Sequence, residues 1–120
     1  MQLFDFSHMV GRPITLYGSE NIIFTPLLLH EAPTKISCMH VAPEGVIGFH
    51  EATVDQLFLV VAGSGWVRGE EVERTASKAG EAAFWSAGEW HESGSAAGMT
   101  AIIVEGDGLE PAKRLPLLAD

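Results

Sequence analysis

Glycine and proline turn signals recur about every ten residues along this chain, and they leave room for short strands only. Apolar or alternating runs lie between the turns, and no stretch before residue 109 has helical spacing over several turns. A chain of 120 residues is long enough to bury one hydrophobic core. The sequence therefore predicts a single all-β domain over residues 1–120, with the strand lengths of a barrel or a sandwich.

The two ends of the chain carry apolar side chains beside helix breakers. Residues 1–20 are predicted to form a short strand and an arm around a Gly-Arg-Pro break. Residues 21–29 read NIIFTPLLL and predict a strand, which Pro26 restricts to an edge or a bulge because proline has no N–H to donate. Residues 109–120 contain two prolines and several leucines, and they predict a tail that is either disordered or packed on a sheet face.

Residues 35–41 form the next predicted strand, and both of its faces are mainly apolar. Successive side chains of a strand point to opposite faces of the sheet. This pattern predicts a strand that lies between the interior of the barrel and an outer cover. One face carries Ile36, Cys38 and His40, and the other carries Ser37, Met39 and Val41.

Charge and composition exclude several classes of partner. The net charge is −9, and only seven residues are Lys or Arg, so neither nucleic acid nor an anionic membrane is an expected partner. No run has the length of a membrane span, and the first ten residues lack the features of a signal peptide. Cys38 is the only cysteine, which fits a reducing compartment. We therefore expect a cytoplasmic protein.

Two stretches, residues 45–63 and 80–95, share a glycine-to-histidine layout. The first resembles the first motif of the cupin family, which reads Gly, five residues, His-x-His, three or four residues, Glu, six residues, Gly. This chain has Gly45, a gap of only four residues, and then His50. Ala52 stands in the position of the second His, and Gln56 in that of the Glu.

The second stretch resembles the second cupin motif, which reads Gly, five residues, Pro-x-Gly, two residues, His, three residues, Asn. Here Gly80 is followed by Ser86-x-Gly88 and then by His91, with Ser95 in the position of the Asn. Both motifs keep their glycines, although the first is one residue short after Gly45, and together they lose half of the metal ligands of the family. The resemblance implies a cupin-like (jelly-roll) antiparallel β-barrel, and it extends over residues 36–105.

The resemblance also implies a metal site at the centre of the barrel, in which His50, Gln56 and His91 are the candidate ligands. The ion would be Zn, Ni, Mn or Fe. Gln56 offers a neutral oxygen with no charge to offset a dication, so such a site would be weak and poorly selective. The alternative is that both histidines are interior residues hydrogen-bonded to Gln56, to each other or to water.

Further residues are candidates for contacts with a ligand in the same cavity. His40 precedes the motif strand by a short turn and is a candidate to face the interior with His50, the alternative being an ordinary core or rim histidine. Ser93 flanks His91 at even spacing. Alternation predicts that Glu51 and Glu92, each of which follows a motif histidine, point outward. The sequence assigns no catalytic residue.

Two specific functions and one broader class remain open. One is a small barrel that binds a small organic ligand through His50, Gln56 and His91, with a weak or absent metal. The other is a metal-dependent cupin enzyme, a dioxygenase, isomerase or lyase that acts on a small carbonyl or sugar-like substrate. A sensing module without turnover is a third class. Because apolar strands, the arm and the tail exceed what one small barrel covers, we also expect a homodimer.

Overall fold

A computed structural model describes residues 1–119, which form an all-β fold of ten strands. Three single-turn 3-10 helices, at His8–Val10, Leu16–Gly18 and Pro111–Lys113, connect or follow them. The strands are β1 (Gln2–Asp5), β2 (Arg12–Pro13), β3 (Ile23–Phe24), β4 (Lys35–Val41), β5 (Gly45–Glu51), β6 (Asp55–Arg68), β7 (Thr75–Lys78), β8 (Glu81–Trp85), β9 (Trp90–Ser95) and β10 (Met99–Gly106).

Two antiparallel sheets face each other, and β6 belongs to both. The first half of this 14-residue strand pairs with β8 and β10, and β1 and β4 complete that sheet in the order β1-β8-β6-β10-β4. The second half of β6 pairs with β7 and β9, and β5 pairs with β9 at the edge of the second sheet. This arrangement is the predicted jelly-roll barrel. The short strands β2 and β3 pair only with each other.

The motif glycines are required where the chain turns between the sheets. Gly63 has φ 76° in the middle of β6, and a Cβ at this position would collide with the backbone of Gly98 and Met99. Gly88 has φ 91° in the turn between β8 and β9. Side chains other than glycine rarely adopt these left-handed conformations. The glycine spacing of the motifs therefore follows from the close approach of β6 to β10 and from this turn.

Two layers of buried apolar side chains stabilise the barrel. The inner layer fills the space between the sheets, and the outer layer packs under the terminal segments. The inner layer consists of Val41, Phe58, Val60, Val67, Ala83, Trp85, Met99, Ala101 and Ile103. The outer layer consists of Phe4, Leu57, Leu59, Ala82, Phe84, Val104, Leu109 and Leu115. Strands β6, β8 and β10 are therefore covered on both sides.

Two of the strand predictions are wrong in their extent or surroundings. Only Ile23–Phe24 of the predicted strand 21–29 is a strand, since the sequence around Pro26 finds no partner on the main sheet. Strand β4 has the predicted bounds, but it is a sheet edge that pairs only with β10 and carries exposed apolar side chains. Apolar residues on both faces predict a strand, but they do not show whether another segment covers its outer face.

The tail packs beside β1. Leu115 is buried in the outer layer, Leu117 forms a β-bridge with Phe4, and the Leu118 N–H donates to the Leu3 carbonyl. The final residue of the predicted tail, Asp120, lies outside the described residues. Within residues 1–119, no helix is long and apolar enough to cross a membrane.

Candidate functional site

A cavity of about 160 Å³ lies between the two sheets, at the side where β4 and β5 are unpaired edges. Its walls combine apolar side chains with imidazole, amide, hydroxyl and charged groups. The lining residues are Lys35, Ser37, Met39, Ile47, His50, Gln56, Phe58, His91, Ser93, Ile103 and Glu105.

A bulge in β5 brings His50 to this cavity. Ile47 is opposite Ser93 and His50 is opposite His91, so three steps along β5 match two steps along β9. Strict alternation would place Ile47 and His50 on opposite faces of the sheet. The extra residue changes the alternation, and both side chains line the cavity.

His91 is buried at 3% exposure, between His50 and Trp85. Its ring stacks on the Trp85 indole at a centroid distance of 4.3 Å and lies 4.4 Å from the His50 ring. Burial lowers the pKa of His91 below its usual value, and the nearby His50 adds to this effect, while a hydrogen bond to the Glu89 carbonyl opposes it. The neutral form of His91 is therefore favoured near pH 7.

Both histidines hold the same ring nitrogen, Nδ1, against a backbone carbonyl. His50 Nδ1 lies 2.6 Å from the Gly48 carbonyl oxygen, and His91 Nδ1 lies 3.4 Å from the Glu89 carbonyl oxygen. A carbonyl oxygen only accepts hydrogen bonds, so each Nδ1 carries the proton in these contacts. The Nε2 lone pair of each neutral ring is then left to accept a hydrogen bond or to bind a ligand.

Within residues 1–119, two neighbouring buried polar atoms lack hydrogen-bond partners, and one of them belongs to Gln56, which lines the cavity. Gln56 Oε1 and Trp85 Nε1 are buried and have no hydrogen-bond partner among the residues that the structure describes. The two residues are cross-strand partners on β6 and β8. A buried polar group without a partner costs roughly 1–3 kcal/mol. The Gln56 side chain therefore gives the cavity a polar wall, whereas Trp85 stacks on His91 outside the lining.

The structure brings together four of the five predicted ligand-binding residues. His50, Gln56, His91 and Ser93 all line the cavity, and Ser93 is almost fully buried. His40 does not join them. It lies with Cys38 on the opposite face of β4, where its Nε2 is 3.6 Å from Cys38 Sγ, and it lines a separate shallow pocket. The prediction that His40 faces the interior is wrong because Ser37 and Met39 occupy the inward positions of that strand.

The positions beside the motif histidines have structural roles outside the cavity. Ala52 follows the end of β5, is buried, and donates its N–H to the Glu89 carbonyl. It is not among the lining residues, so the family position of the second histidine is displaced from the cavity here. Glu92 pairs with Arg68 at 2.8 Å on the outer face of the sheet. Glu51 is exposed, as alternation predicts.

Sequence reasoning missed the charged pair at the mouth of the cavity. Lys35 Nζ lies 3.8 Å from Glu105 Oε2, and both residues line the cavity. Glu105 is directly opposite Lys35 on one side and Gln56 on the other. Lys35 is two residues from Ser37, and Glu105 is two residues from Ile103, so alternation places both charged side chains on the cavity face of their strands. The sequence did not show that β4 and β10 are neighbours.

The residues present fit a divalent metal poorly. Two imidazole nitrogens and one amide oxygen supply three neutral ligands, whereas a bound dication is best offset by an anionic ligand. In the described part of the chain, no group of three His, Cys, Asp or Glu side chains is arranged to hold a metal ion. Glu105 lines the cavity without completing such a group.

Comparisons with known proteins support the fold. No protein-family model matches the sequence, and no curated protein matches it significantly. The chain is similar to a solved cupin superfamily protein from Desulfitobacterium hafniense DCB-2, with a TM-score of 0.59 and 16% identity over 80% of this chain and 91% of that one. It is also similar to a Cupin 2 conserved barrel domain protein from Salinispora arenicola CNS-205 (TM-score 0.58, 20% identity, 70% and 71% covered).

A predicted oxalate decarboxylase from Thermotoga maritima is a third similar structure, with a TM-score of 0.53 and 19% identity over 69% of this chain and 65% of that one. The chain therefore has the cupin fold. The cupin resemblance carried by the motifs at residues 45–63 and 80–95 is confirmed at the level of the fold.

Proposed function

We propose that the chain binds a small organic ligand in the barrel cavity without a tightly held metal ion. The observation that carries this proposal is the buried, unpartnered Gln56 Oε1. Gln56 lines the same cavity as His50 and His91, whose Nε2 atoms are left to accept hydrogen bonds in the neutral rings. A ligand that donates to these three atoms would remove the cost of burying them without partners.

The size and lining of the cavity limit the ligand to a small molecule. The volume of about 160 Å³ is similar to that of a cavity of roughly 150 Å³ that holds a molecule of benzene. Phe58, Ile103 and Ile47 supply apolar contacts, and Ser93 adds a hydroxyl group. This mixture of apolar walls and a few convergent polar groups is typical of ligand pockets.

A screen of small polar compounds by protein-observed NMR tests the proposal, with wild type and Gln56→Leu compared. We expect a hit to shift the signals of His50 and His91 in wild type and to lose most of its affinity in the variant. Because Leu removes an unpartnered buried oxygen, the ligand-free variant should unfold at a higher temperature than wild type. A variant that unfolds earlier and binds equally well would show that Gln56 is only a structural residue.

A metal-dependent enzyme of the dioxygenase, isomerase or lyase type is the second candidate, and one observation favours it. Metal-binding histidines commonly donate their second N–H to a backbone carbonyl, as His50 and His91 do here. The similar structure from Thermotoga maritima, a predicted oxalate decarboxylase, belongs to the same broad reaction class. The neutral donor set argues against this candidate, since Gln56 supplies no charge.

Metal titration of Gln56→Glu separates the two candidates. We expect wild type purified without added ions to hold no stoichiometric Zn, Ni, Mn or Fe. The carboxylate should tighten Zn or Ni binding roughly 10–100-fold in calorimetry, if a single ligand change acts at least as strongly as changes beyond the ligands do. Gln2→Glu, on the exposed β1 position, is the matched control and should bind as wild type does. Stoichiometric metal in wild type would favour the enzyme.

A further inference from the structure

We propose that the ligand of this cavity is a small organic cation, a primary ammonium compound, and that Glu105 is its counter-ion. This inference rests on the proposed function and adds the chemical class of the ligand. Its basis is one row of side chains, Lys35, Glu105 and Gln56, on three neighbouring strands of the first sheet. All three point into the same cavity.

The polar groups of the cavity include several acceptors, beside the Gln56 amide N–H₂ and the Ser93 hydroxyl, which also donate. His50 Nε2 and His91 Nε2 each hold a lone pair in the neutral ring, and Gln56 Oε1 is a buried acceptor without a partner in the described part of the chain. Glu105 adds a carboxylate next to Gln56, because directly opposite residues on paired strands hold their Cβ atoms about 5 Å apart. A cavity rich in acceptors is complementary to a ligand rich in N–H and O–H donors. An ammonium group has three donors and a positive charge.

Lys35 shows that this carboxylate already attracts an ammonium group. Its Nζ is 3.8 Å from Glu105 Oε2, a long separation, and its side chain is 77% exposed while that of Glu105 is 28% exposed. Such a pair contributes little to stability. The lysine is therefore free to swing into solvent when a smaller ammonium compound enters, and it acts as an internal competitor for Glu105.

The net charge of the whole chain also favours a cationic ligand. With sixteen Asp and Glu against seven Lys and Arg, the net charge is −9. A strongly negative surface raises the local concentration of small cations and lowers that of anions. An anionic ligand such as a carboxylate would approach against this field and meet Glu105 at the mouth of the cavity.

Three probes of equal length test the proposal: 3-amino-1-propanol, 1,3-propanediol and 3-hydroxypropanoate. Each is titrated into the full chain at neutral pH while amide signals of the cavity strands are followed by NMR. We expect the amine to bind about tenfold more tightly than the diol, because hydrogen bonds to a charged group are stronger than neutral ones. The acid should bind most weakly. Equal affinities, or tighter binding of the acid, would overturn the inference.

Two variants give opposite expectations. Glu105→Gln keeps the shape of the side chain and removes its charge, so the preference for the amine over the diol should disappear. Lys35→Met removes the competitor and should tighten amine binding roughly two- to fivefold. The matched control is the exposed pair Lys113–Glu110, which lies 2.8 Å apart away from the cavity. Lys113→Met and Glu110→Gln should leave all three affinities unchanged.

The outcomes separate this inference from the proposed function. Binding of the diol or the acid at the Gln56 site, with no preference for the amine, would support a ligand cavity and refute a cationic ligand. Amine binding that survives Glu105→Gln but not Gln56→Leu would refute the role of Glu105 alone. Amine binding that is insensitive to both changes would place the amine elsewhere and refute the inference. Unfolding curves of each variant confirm that the fold is intact before affinities are compared.

Discussion

Strands β4 and β10 are neighbours along their whole length, yet they occupy different environments. Val104 on β10 is 8% exposed, and its cross-strand partner Ile36 on β4 is 68% exposed. Both side chains point to the outer face of the same sheet. The outer apolar layer covers β6, β8 and β10, and it ends before β4.

This difference shows that two strands with similar apolar patterns are buried to different extents when one of them, β4, lies at the edge of the sheet. Strand β10 lies between two strands and under the terminal segments, whereas β4 has one free edge and no outer cover. The same edge allows the cavity to open to solvent beside Lys35. Burial in this fold is therefore decided by position in the sheet order more than by the apolar character of a strand.

The largest expected effect is on the free energy of unfolding, which should respond differently to substitutions on β10 and on β4. Val104→Ala removes two buried carbons and should lower the free energy of unfolding by about 2 kcal/mol. Ile36→Ala removes more atoms but should change it by less than about 0.5 kcal/mol, since the side chain is exposed. Denaturant unfolding measures both. Equal losses would mean that Ile36 is buried in solution.

Such burial would arise in a homodimer, which stays a prediction from the sequence. If a second copy covers the outer face of β4, wild type should sediment near twice the 12.9 kDa chain mass at micromolar concentration. Ile36→Glu should then weaken association at least about tenfold, because a carboxylate would enter an apolar contact. Val72→Glu, in an exposed position of the β6–β7 loop, is the control and should associate as wild type does. A monomer in every case would refute the dimer.

The smallest expected effect concerns pH and compares the exposed His50 with the buried His91. Since the pKa of His91 is lowered in the folded state, the unfolded state binds more protons below the ordinary histidine pKa of about 6.5. Stability is complete above this pH and falls as the pH decreases. His91→Gln should remove most of this loss of stability between about pH 7.5 and 5.5. His50→Gln should reduce the loss only in part, because His50 is a smaller cause of the lowered pKa of His91 than burial is. If the stability of His91→Gln depended on pH as that of wild type does, the lowered pKa of His91 would be contradicted.

The spacing of glycines and the alternation of side chains predicted most of the fold. The bounds of β4 and the order of strands through β10 follow from the glycine and proline residues that mark the turns. Two features of the fold were not predicted from the sequence. The cover over β4 depends on tertiary contacts, and the length of β3 depends on whether residues near Pro26 find a partner strand.

The site was predictable where motif spacing and strand parity agreed. His50, Gln56, His91 and Ser93 were found in this way, whereas His40 was placed in the cavity although its parity matches Cys38. The β5 bulge reverses the parity at a point that carries no sequence signal. Lys35 and Glu105 meet only because β4 and β10 are paired, and a single sequence does not reveal that pairing.

Sharing β6 between both sheets has a consequence for the synthesis of the chain. Strands β1, β4 and β5 each pair with a strand that is translated later, namely β8, β10 and β9, and β6 itself needs all three of these strands. The β6–β7 hairpin is the one local pairing of the main barrel. The apolar run at residues 57–61 therefore leaves the ribosome long before its cover exists, so the nascent protein is most exposed to aggregation just before its last strand is made.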